Sequence, residues 1–256
     1  MKTLAARLAD GDTLYTGWAG WPDPLHAEAL ARAGFDTVTL DMQHGIHGIE
    51  GVSRCIAAVA LAAKPAMVRI PLRDWGSATR ALDVGASAVI APMINSVADA
   101  KAFAEVMKYP PSGGRSWGPE RAMGLGGFTD APDYLRNANA ATLAIAMIET
   151  REALAALDGI LAVDGIDGIF VGPSDFSIAW SNGATVDAGL DDMMPAIADI
   201  AARTKAAGKI RMIFCTSPAL GVRYRAMGYQ LLAVGWDPHY VETGARTLLE
   251  AVKTAS

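Results

Sequence analysis

Two acidic residues follow apolar runs that are typical of buried strands. Glu149 closes the run LAIAMIE, and Asp175 follows IFVGPS. Carboxylates on neighbouring strands of a parallel barrel lie close together, where like charges repel unless a cation is bound between them, and a hard divalent ion is the usual solution. Both residues also precede helix-like segments and would serve as helix caps. Because no basic residue stands at either strand end, the pattern favours a metal site.

An arginine and a histidine follow other apolar runs. Arg69 lies in MVRIP, where a buried guanidinium needs an anionic partner, either a neighbouring carboxylate or the carboxylate or enolate of a substrate. His44 follows the run that ends in Asp41, and a carboxylate on its second ring nitrogen would fix one tautomer and raise its basicity. Asp83, in the turn ALDVGAS, is another candidate for that carboxylate. A lone histidine is more often structural, so both interpretations of His44 remain.

The segment GPSD and the other histidines are weaker signals. Consecutive backbone N–H groups at the strand–turn junction of GPSD form a nest for carboxylate or phosphate oxygens, although Gly-Pro-Ser is also common turn chemistry. His47 is predicted to be a loop residue without a role, and His26 and His239 are predicted to be surface residues.

The elements that must position these residues are short apolar runs alternating with helical patterns. Strands with little polar alternation are typical of sheets buried on both faces. Eight of them separated by helices predict a (β/α)₈ TIM barrel, and the first βα turn lacks the GxGxxG of many open doubly wound sheets. The predicted strands are residues 14–19, 37–41, 66–71, 88–93, 143–149, 168–172, 210–215 and 231–235. The predicted helices include residues 49–63, 75–84, 97–108, 151–161, 193–207 and 238–255.

Barrel enzymes carry their chemistry at the carboxyl ends of the strands, so the residues above are predicted to share one rim with Trp18 and Trp21, which end the first strand. Two further segments have unusual sequences for a barrel of this size. Residues 109–125 form a Gly- and Pro-rich connection, which we expect to be an ordered lid or rim. The last helix has an apolar stripe that must be buried somewhere: Val241, Ala245, Leu248, Leu249 and Val252.

Composition narrows the class of protein. The 256 residues show no composition shift and suit a fold of ~250 residues, so residues 1–256 are predicted to form a single domain. Cys55 and Cys215 lie in apolar runs without CxxC spacing, as reduced core cysteines do. The net charge of −5, with scattered basic residues, argues against a nucleic-acid partner. Neither a signal peptide nor a membrane span is recognisable, so we expect a cytoplasmic protein.

Together these residues resemble the HpcH/HpaI aldolase family, the class II pyruvate aldolases that include 4-hydroxy-2-oxoheptanedioate aldolase and 2-keto-3-deoxy sugar acid aldolase. The resemblance implies a metal-dependent barrel of the phosphoenolpyruvate/pyruvate type. It also implies a homo-oligomer, a hexamer built as a trimer of dimers that exchange their last helix. The segments that carry it are GFDTVTLDMQH (34–44), VRIP (68–71), LDVGASAVIAPMINS (82–96), YPPSGGRSWGP (109–119), IET (148–150) and IFVGPSDFS (169–177).

The resemblance assigns roles by position. Glu149 and Asp175 match the metal ligands. His44 matches the catalytic base, Asp83 the residue that raises its basicity, and Arg69 the group that stabilises the enolate. The positions that bind substrate are Arg69, Trp18, Met147, Gly172, Pro173, Ser174 and Asp175, of which Ser174 and Asp175 hold the pyruvate carboxylate through their backbone.

Two positions depart from the family pattern. Gln43 stands in DMQH where relatives have the acid of DGEH, and Met147 stands where relatives have a glutamine that contacts substrate. Positioning of pyruvate, or the preferred aldehyde, is therefore expected to differ.

The implied reaction is cleavage of 4-hydroxy-2-keto acids to pyruvate and an aldehyde, and its reverse, with Mg²⁺, Mn²⁺ or Co²⁺ and no organic cofactor. A Schiff-base aldolase is disfavoured because no lysine follows a predicted strand; Lys64 and Lys209 precede strands. Two further hypotheses stay open: a related lyase acting on an acyl-CoA or phosphoenolpyruvate-like substrate, and a non-catalytic barrel that binds a metal and a keto acid.

Overall fold

Eight parallel strands close into one barrel in the order β1 to β8, with β1 paired to both β2 and β8. The computed structural model describes residues 2–255. The strands are β1 Leu14–Ala19, β2 Thr37–Asp41, β3 Ala66–Arg69, β4 Ala88–Ala91, β5 Leu143–Ile148, β6 Gly168–Val171, β7 Ile210–Cys215 and β8 Leu231–Val234. The predicted (β/α)₈ fold is confirmed.

Thirteen α-helices accompany the strands in the described part of the chain. They are α1 Leu4–Ala9, α2 Pro24–Arg32, α3 Ile49–Leu61, α4 Trp75–Asp83, α5 Val97–Met107, α6 Glu120–Gly126, α7 Ala131–Ala141, α8 Arg151–Ala155, α9 Leu157–Leu161, α10 Pro173–Trp180, α11 Met194–Ala206, α12 Pro218–Ala226 and α13 Asp237–Thr254. None of the helices within residues 2–255 combines the length and the apolar character that crossing a bilayer requires.

The strands are buried on both faces, which explains their continuous apolar sequences. In β5, Ile145 and Met147 belong to a cluster inside the barrel, whereas Ala146 and Ile148 pack outward against the helices. Leu4 and Leu8 of α1 join the inner cluster. Side chains that alternate between two apolar surroundings leave no polar face to interrupt the pattern.

Several predicted strands end one or two residues early, because the chain leaves the ladder to form the upper loops. β3 ends at Arg69 rather than at residue 71, and β4 ends at Ala91 rather than at residue 93. Met93 has a φ of 54°, a left-handed conformation that cannot continue a strand. The predicted helix over residues 151–161 is two helices, α8 and α9, that meet at Ala156.

The connection over residues 109–125 continues into α6. Arg115 is buried, stacks on the Tyr109 ring at 4.6 Å and donates to Asp83 Oδ1 at 2.7 Å. Asp83 ends α4, and barrel helices run opposite to the strands, so this connection lies beside the amino ends of the strands. It is a rim, as predicted, but at the end opposite to the predicted site.

Candidate active site

A cavity of about 250 Å³ opens at the carboxyl ends of the strands. All the predicted site residues except Asp83 line it: Trp18, His44, Arg69, Met147, Glu149, Gly172, Pro173, Ser174 and Asp175. Three further residues of its lining were not predicted, namely Phe170, Phe214 and Trp236. The closed order of the strands divides the lining into an acidic side from β5 and β6, a basic side from β2 and β3, and an aromatic side between them.

Glu149 is the buried carboxylate of the acidic side. It follows β5, is 1% exposed, and its Oε2 accepts a hydrogen bond of 2.9 Å from the Met93 backbone N–H. A side chain at Gly172 would collide with Oε1, so glycine there makes room for this carboxylate. The pKa of Glu149 is raised to about 7: burial is the largest cause, the Met93 N–H acts against it, the charge of Asp175 adds to the rise, and Arg69 opposes it.

Helix capping does not account for Glu149. The side chain of the next residue, Thr150, caps α8 by accepting from the Ala153 N–H at 3.0 Å. The cap of α10 is Gly172, which has no side chain to contribute. Asp175 lies in the first turn of α10, exposed at the cavity, and its carboxylate makes no hydrogen bond to residues 2–255. Both acids are therefore available to a ligand.

These two acids fit a hard divalent cation. Glu149 is a buried carboxylate without a basic partner, and its raised pKa reflects the cost of a charge there. Both candidate ligands offer oxygen, the donor that Mg²⁺ and similar ions prefer. No group of three or more His, Cys, Asp or Glu side chains within residues 2–255 forms a complete protein cage. A cation here would take its remaining ligands from water and substrate.

Arg69 forms the basic side and is tied to Asp41. Its Nε and Nη2 donate to the two oxygens of Asp41 at 2.9 and 2.6 Å, and its guanidinium lies 4.9 Å from the Trp18 ring centroid. Asp41 also accepts from the Trp18 indole at 3.2 Å. Burial opposes ionisation of Asp41, but these donors outweigh it and lower its pKa. Arg69 thus has the carboxylate partner that the sequence predicted as one of its two options, while its side chain still lines the cavity.

His44 is exposed at the cavity, but neither proposed carboxylate reaches its ring. Asp41 is occupied by Arg69, and it contacts His44 only through the backbone N–H, at 3.4 Å. Asp83 is paired with Arg115 at the opposite rim. Within residues 2–255 the imidazole has no hydrogen-bond partner, so the chain by itself does not form the predicted base–carboxylate pair.

Two of the other histidines are less peripheral than predicted. His26 Nε2 lies 2.7 Å from Oδ1 of the buried Asp237, whose Oδ2 accepts from the Gly20 and Trp21 N–H groups. His47 is buried, and burial lowers its pKa. Their surroundings come from α2, α13 and the loops after β1 and β2, which are far apart in sequence. Trp21 does not line the cavity, and its ring packs on His26 with centroids 5.4 Å apart.

The aromatic side, called the aromatic wall below, consists of Trp18, Phe170, Phe214 and Trp236. Trp18 packs on Phe170 at 5.6 Å and edge-on against Phe214 at 5.2 Å. Phe214 lies 6.4 Å from Trp236, which is 38% exposed at the mouth. Trp236 lies two residues after the end of β8, so the rule that predicted Glu149 at the end of β5 would have predicted it too.

Known proteins match this chain over nearly its full length. A model of the family described as HpcH/HpaI aldolase/citrate lyase matches residues 16–243. A hydroxypyruvate/pyruvate aldolase of Roseovarius nubinhibens is 36% identical over 253 residues, which cover 99% of this chain and 97% of that protein. A 4-hydroxy-2-oxo-heptane-1,7-dioate aldolase of Salmonella dublin is 35% identical over 231 residues, which cover 90% of this chain and 87% of that protein.

A solved structure has the same fold. The crystal structure of an HpcH/HpaI aldolase/citrate lyase family protein from Burkholderia cenocepacia superposes with a TM-score of 0.88 and 32% sequence identity, covering 98% of this chain and 99% of that one. The sequence matches and the structural superposition thus indicate the same family.

Proposed function

The chain belongs to the HpcH/HpaI aldolase/citrate lyase family, and from this premise we propose that it is a metal-dependent class II pyruvate aldolase. The proposed reaction is cleavage of a 4-hydroxy-2-keto acid, such as 4-hydroxy-2-oxoheptanedioate, to pyruvate and an aldehyde, together with the reverse addition. The observation that carries the proposal is the convergence of Glu149, Asp175, Arg69 and His44 on one cavity.

Glu149 and Asp175 are the residues that would hold the cation, Mg²⁺, Mn²⁺ or Co²⁺, and no organic cofactor is needed. When bound, such a cation supplies Lewis-acid stabilisation of negative charge on the 2-keto oxygen. The cavity lining within residues 2–255 contains no lysine, which supports this chemistry over a Schiff base.

The pyruvyl carboxylate would be bound at the start of α10. The first N–H groups of a helix have no partner inside the helix, and they attract anions. Ser174 and Asp175 present such groups beside the cavity, whereas Pro173 has none. Arg69 adds a fixed positive charge, which Asp41 keeps in place through two hydrogen bonds. In the proposed reaction this charge would stabilise the oxygen that becomes negative as the carbon–carbon bond breaks.

His44 is the proposed base. In cleavage it takes the proton of the 4-hydroxyl, directly or through a water. The C3–C4 bond then breaks, the aldehyde leaves, and the electron pair of that bond forms the pyruvate enolate. A proton then returns to C3. In synthesis the methyl group of pyruvate loses a proton and the new alkoxide gains one. If Asp83 orients His44, it must do so from a neighbouring subunit, because within one chain it lies at the far rim.

An oligomer with exchanged last helices remains part of this proposal. In α13 the side chains of Val241, Leu248, Leu249 and Val252 are at least half exposed, so the predicted stripe is not covered within the chain. Packing α13 against a second copy would remove this apolar surface from water. Sedimentation velocity of the wild type and of Leu248→Asp tests it: the wild type is expected to be a hexamer and the variant smaller, whereas a monomeric wild type would refute the exchange.

Pyruvate release from a 4-hydroxy-2-keto acid tests the function. We expect release by the metal-loaded protein, loss of release after complete chelation, and recovery when Mg²⁺ or Mn²⁺ is restored. Exchange of the pyruvate methyl protons with D₂O, followed by NMR, reports the enolate without any aldehyde. A metal and keto-acid binding barrel would show neither release nor exchange, and activity that survives complete chelation would exclude the metal-dependent reaction.

A further inference from the structure

The aromatic wall supplies no charged or polar ligand to the pyruvyl group in the proposed reaction. The proposed ligands of that group come from β3, β5 and β6, with the start of α10. The rest of the lining comes mainly from β7, β8 and β1, in the form of Phe214, Trp236 and Trp18. Since β1 is next to β2 in the barrel, the wall adjoins the side that carries His44. An aldehyde whose carbonyl faces His44 would therefore place its body against the wall or in the mouth beside Trp236.

The lining has few basic groups, and none of them comes from β7 or β8. Within residues 2–255 its only basic residues are Arg69 and His44; Arg69 lies 4.9 Å from the Trp18 ring centroid, but it is already bound by Asp41. The wall itself has packed ring faces and edges, from Trp18 through Phe214 to Trp236. A carboxylate at the far end of an aldehyde would lose water there without gaining a counter-charge, whereas an apolar group would be favoured.

Resting on the proposed function, we propose that the aromatic wall selects aldehydes with an uncharged, apolar body over aldehydes that end in a carboxylate, and that Trp236 determines this preference. Trp236 is the member of the wall at the mouth, where the end of the aldehyde opposite to its carbonyl would lie. Its ring makes a T-shaped contact with His239, with centroids 5.0 Å apart.

Two aldehydes of matched shape test the preference. 4-Oxobutanoate is the aldehyde that 4-hydroxy-2-oxoheptanedioate would release, and 4-methylpentanal replaces its carboxylate by an isopropyl group. For addition of pyruvate by the Mg²⁺-loaded enzyme, we expect kcat/KM to be at least roughly tenfold higher with 4-methylpentanal, the scale on which pockets discriminate small groups. Equal values, or a preference for 4-oxobutanoate, would overturn the inference.

Variants of Trp236 test whether this residue determines the preference for the apolar aldehyde. Each addition rate is divided by the same variant's rate of pyruvate methyl exchange, which needs no aldehyde. Trp236→Ala is expected to reduce the preference roughly tenfold, mainly through KM for 4-methylpentanal, and Trp236→Phe to keep most of it. The matched control is Trp21→Ala, because Trp21 is similarly exposed, at 40%, on the same rim but outside the cavity.

The outcomes separate the two proposals. A loss of preference in Trp21→Ala equal to that in Trp236→Ala would refute the role of Trp236. Methyl exchange without any preference between the aldehydes would refute this inference and leave the aldolase standing. Absence of both exchange and addition would refute the aldolase itself.

Discussion

Asp41, on the basic side of the cavity, and Glu149, on the acidic side, are both carboxylates removed from water, with exposures of 4% and 1%. Their pKa values move in opposite directions: that of Asp41 is lowered, and that of Glu149 is raised to about 7. Burial acts in the same way on both. The difference lies in their partners, since Asp41 accepts two hydrogen bonds from Arg69, whereas Glu149 accepts one from a backbone N–H.

The charge of Asp41 is balanced by Arg69 within the described chain, whereas the charge of Glu149 is not balanced there. Asp41 is used to hold Arg69 and Trp18 in place. Glu149 is buried beside a second acid, an arrangement that is costly unless a cation is bound there. This contrast supports a structural role for Asp41 and the proposed metal site at Glu149 and Asp175.

The largest expected effect is that of Glu149→Gln, which keeps the shape of the side chain and removes its charge. Loss of a metal ligand should lower kcat/KM for cleavage by roughly 10³-fold, because the cation contributes several kcal/mol to the reaction. The assay is pyruvate release at saturating Mg²⁺. Glu152→Gln, at an exposed glutamate of α8, is the control and should retain wild-type activity. Similar activity in the two variants would mean that Glu149 is not a ligand.

Asp41→Asn should act on stability instead. It leaves Arg69, whose side chain is 11% exposed, without its counter-charge, and breaking such a buried pair costs about 3 kcal/mol. Urea unfolding in the presence of chelator measures the free energy of unfolding. At pH 8, Glu149→Gln should instead stabilise the metal-free protein, because it removes an uncompensated buried charge. Changes of the same sign in both variants would contradict the contrast between the two carboxylates.

Gly172→Ala tests whether the missing side chain at residue 172 provides the space for the Glu149 carboxylate. The backbone conformation at Gly172 suits any residue, with a φ of −97°, but the added methyl group would meet the Glu149 carboxylate. Displacing a ligand in this way should weaken metal affinity roughly 10- to 100-fold. Gly124→Ala, where the added group meets nothing within 4 Å, is the control. Unchanged affinity in Gly172→Ala, measured by calorimetry, would show that Glu149 is not held in its ligating position by this contact.

The smallest effect is the dependence of metal binding on pH. A proton competes with the cation for Glu149, so apparent affinity should fall roughly tenfold from pH 8 to pH 6, across a pKa of about 7. The folded pKa of Glu149 lies above its ordinary value, so its contribution to the stability of the metal-free protein is present below about pH 4.5 and is lost as pH rises through 7. Glu149→Gln should remove that slope. A pH-independent affinity would argue against Glu149 as the competing group.

Much of this arrangement is predictable from sequence, because barrel topology fixes which end of a strand carries chemistry. Glu149, Asp175 and Arg69 each follow an apolar run, and the structure places them around one cavity. The same rule places Asp83 at the opposite rim, since it ends a helix that leads into a strand. Asp83 was a candidate partner of His44 in the sequence, and the family resemblance assigned it that role, but within one chain it pairs with Arg115 instead.

Pairings across the cavity were not predictable. Asp41 was a candidate partner of His44, its neighbour in sequence, but it pairs with Arg69 because β2 and β3 set Asp41 opposite Arg69 in the ladder. Sequence spacing contains no information on which of two nearby basic residues a carboxylate will reach. Excluding a capping role for Glu149 also needed the structure, which shows Thr150 as the cap of α8.

The central claim is that Glu149 and Asp175 bind a divalent cation, and titration of the metal-free protein with Mn²⁺, followed by electron paramagnetic resonance, tests it most directly. One Mn²⁺ site per chain is expected in the wild type and in Asp41→Asn, with the site lost in Glu149→Gln and weakened in Asp175→Asn. A wild type that binds no Mn²⁺, or a Glu149→Gln variant that binds it as tightly as the wild type, would contradict the account.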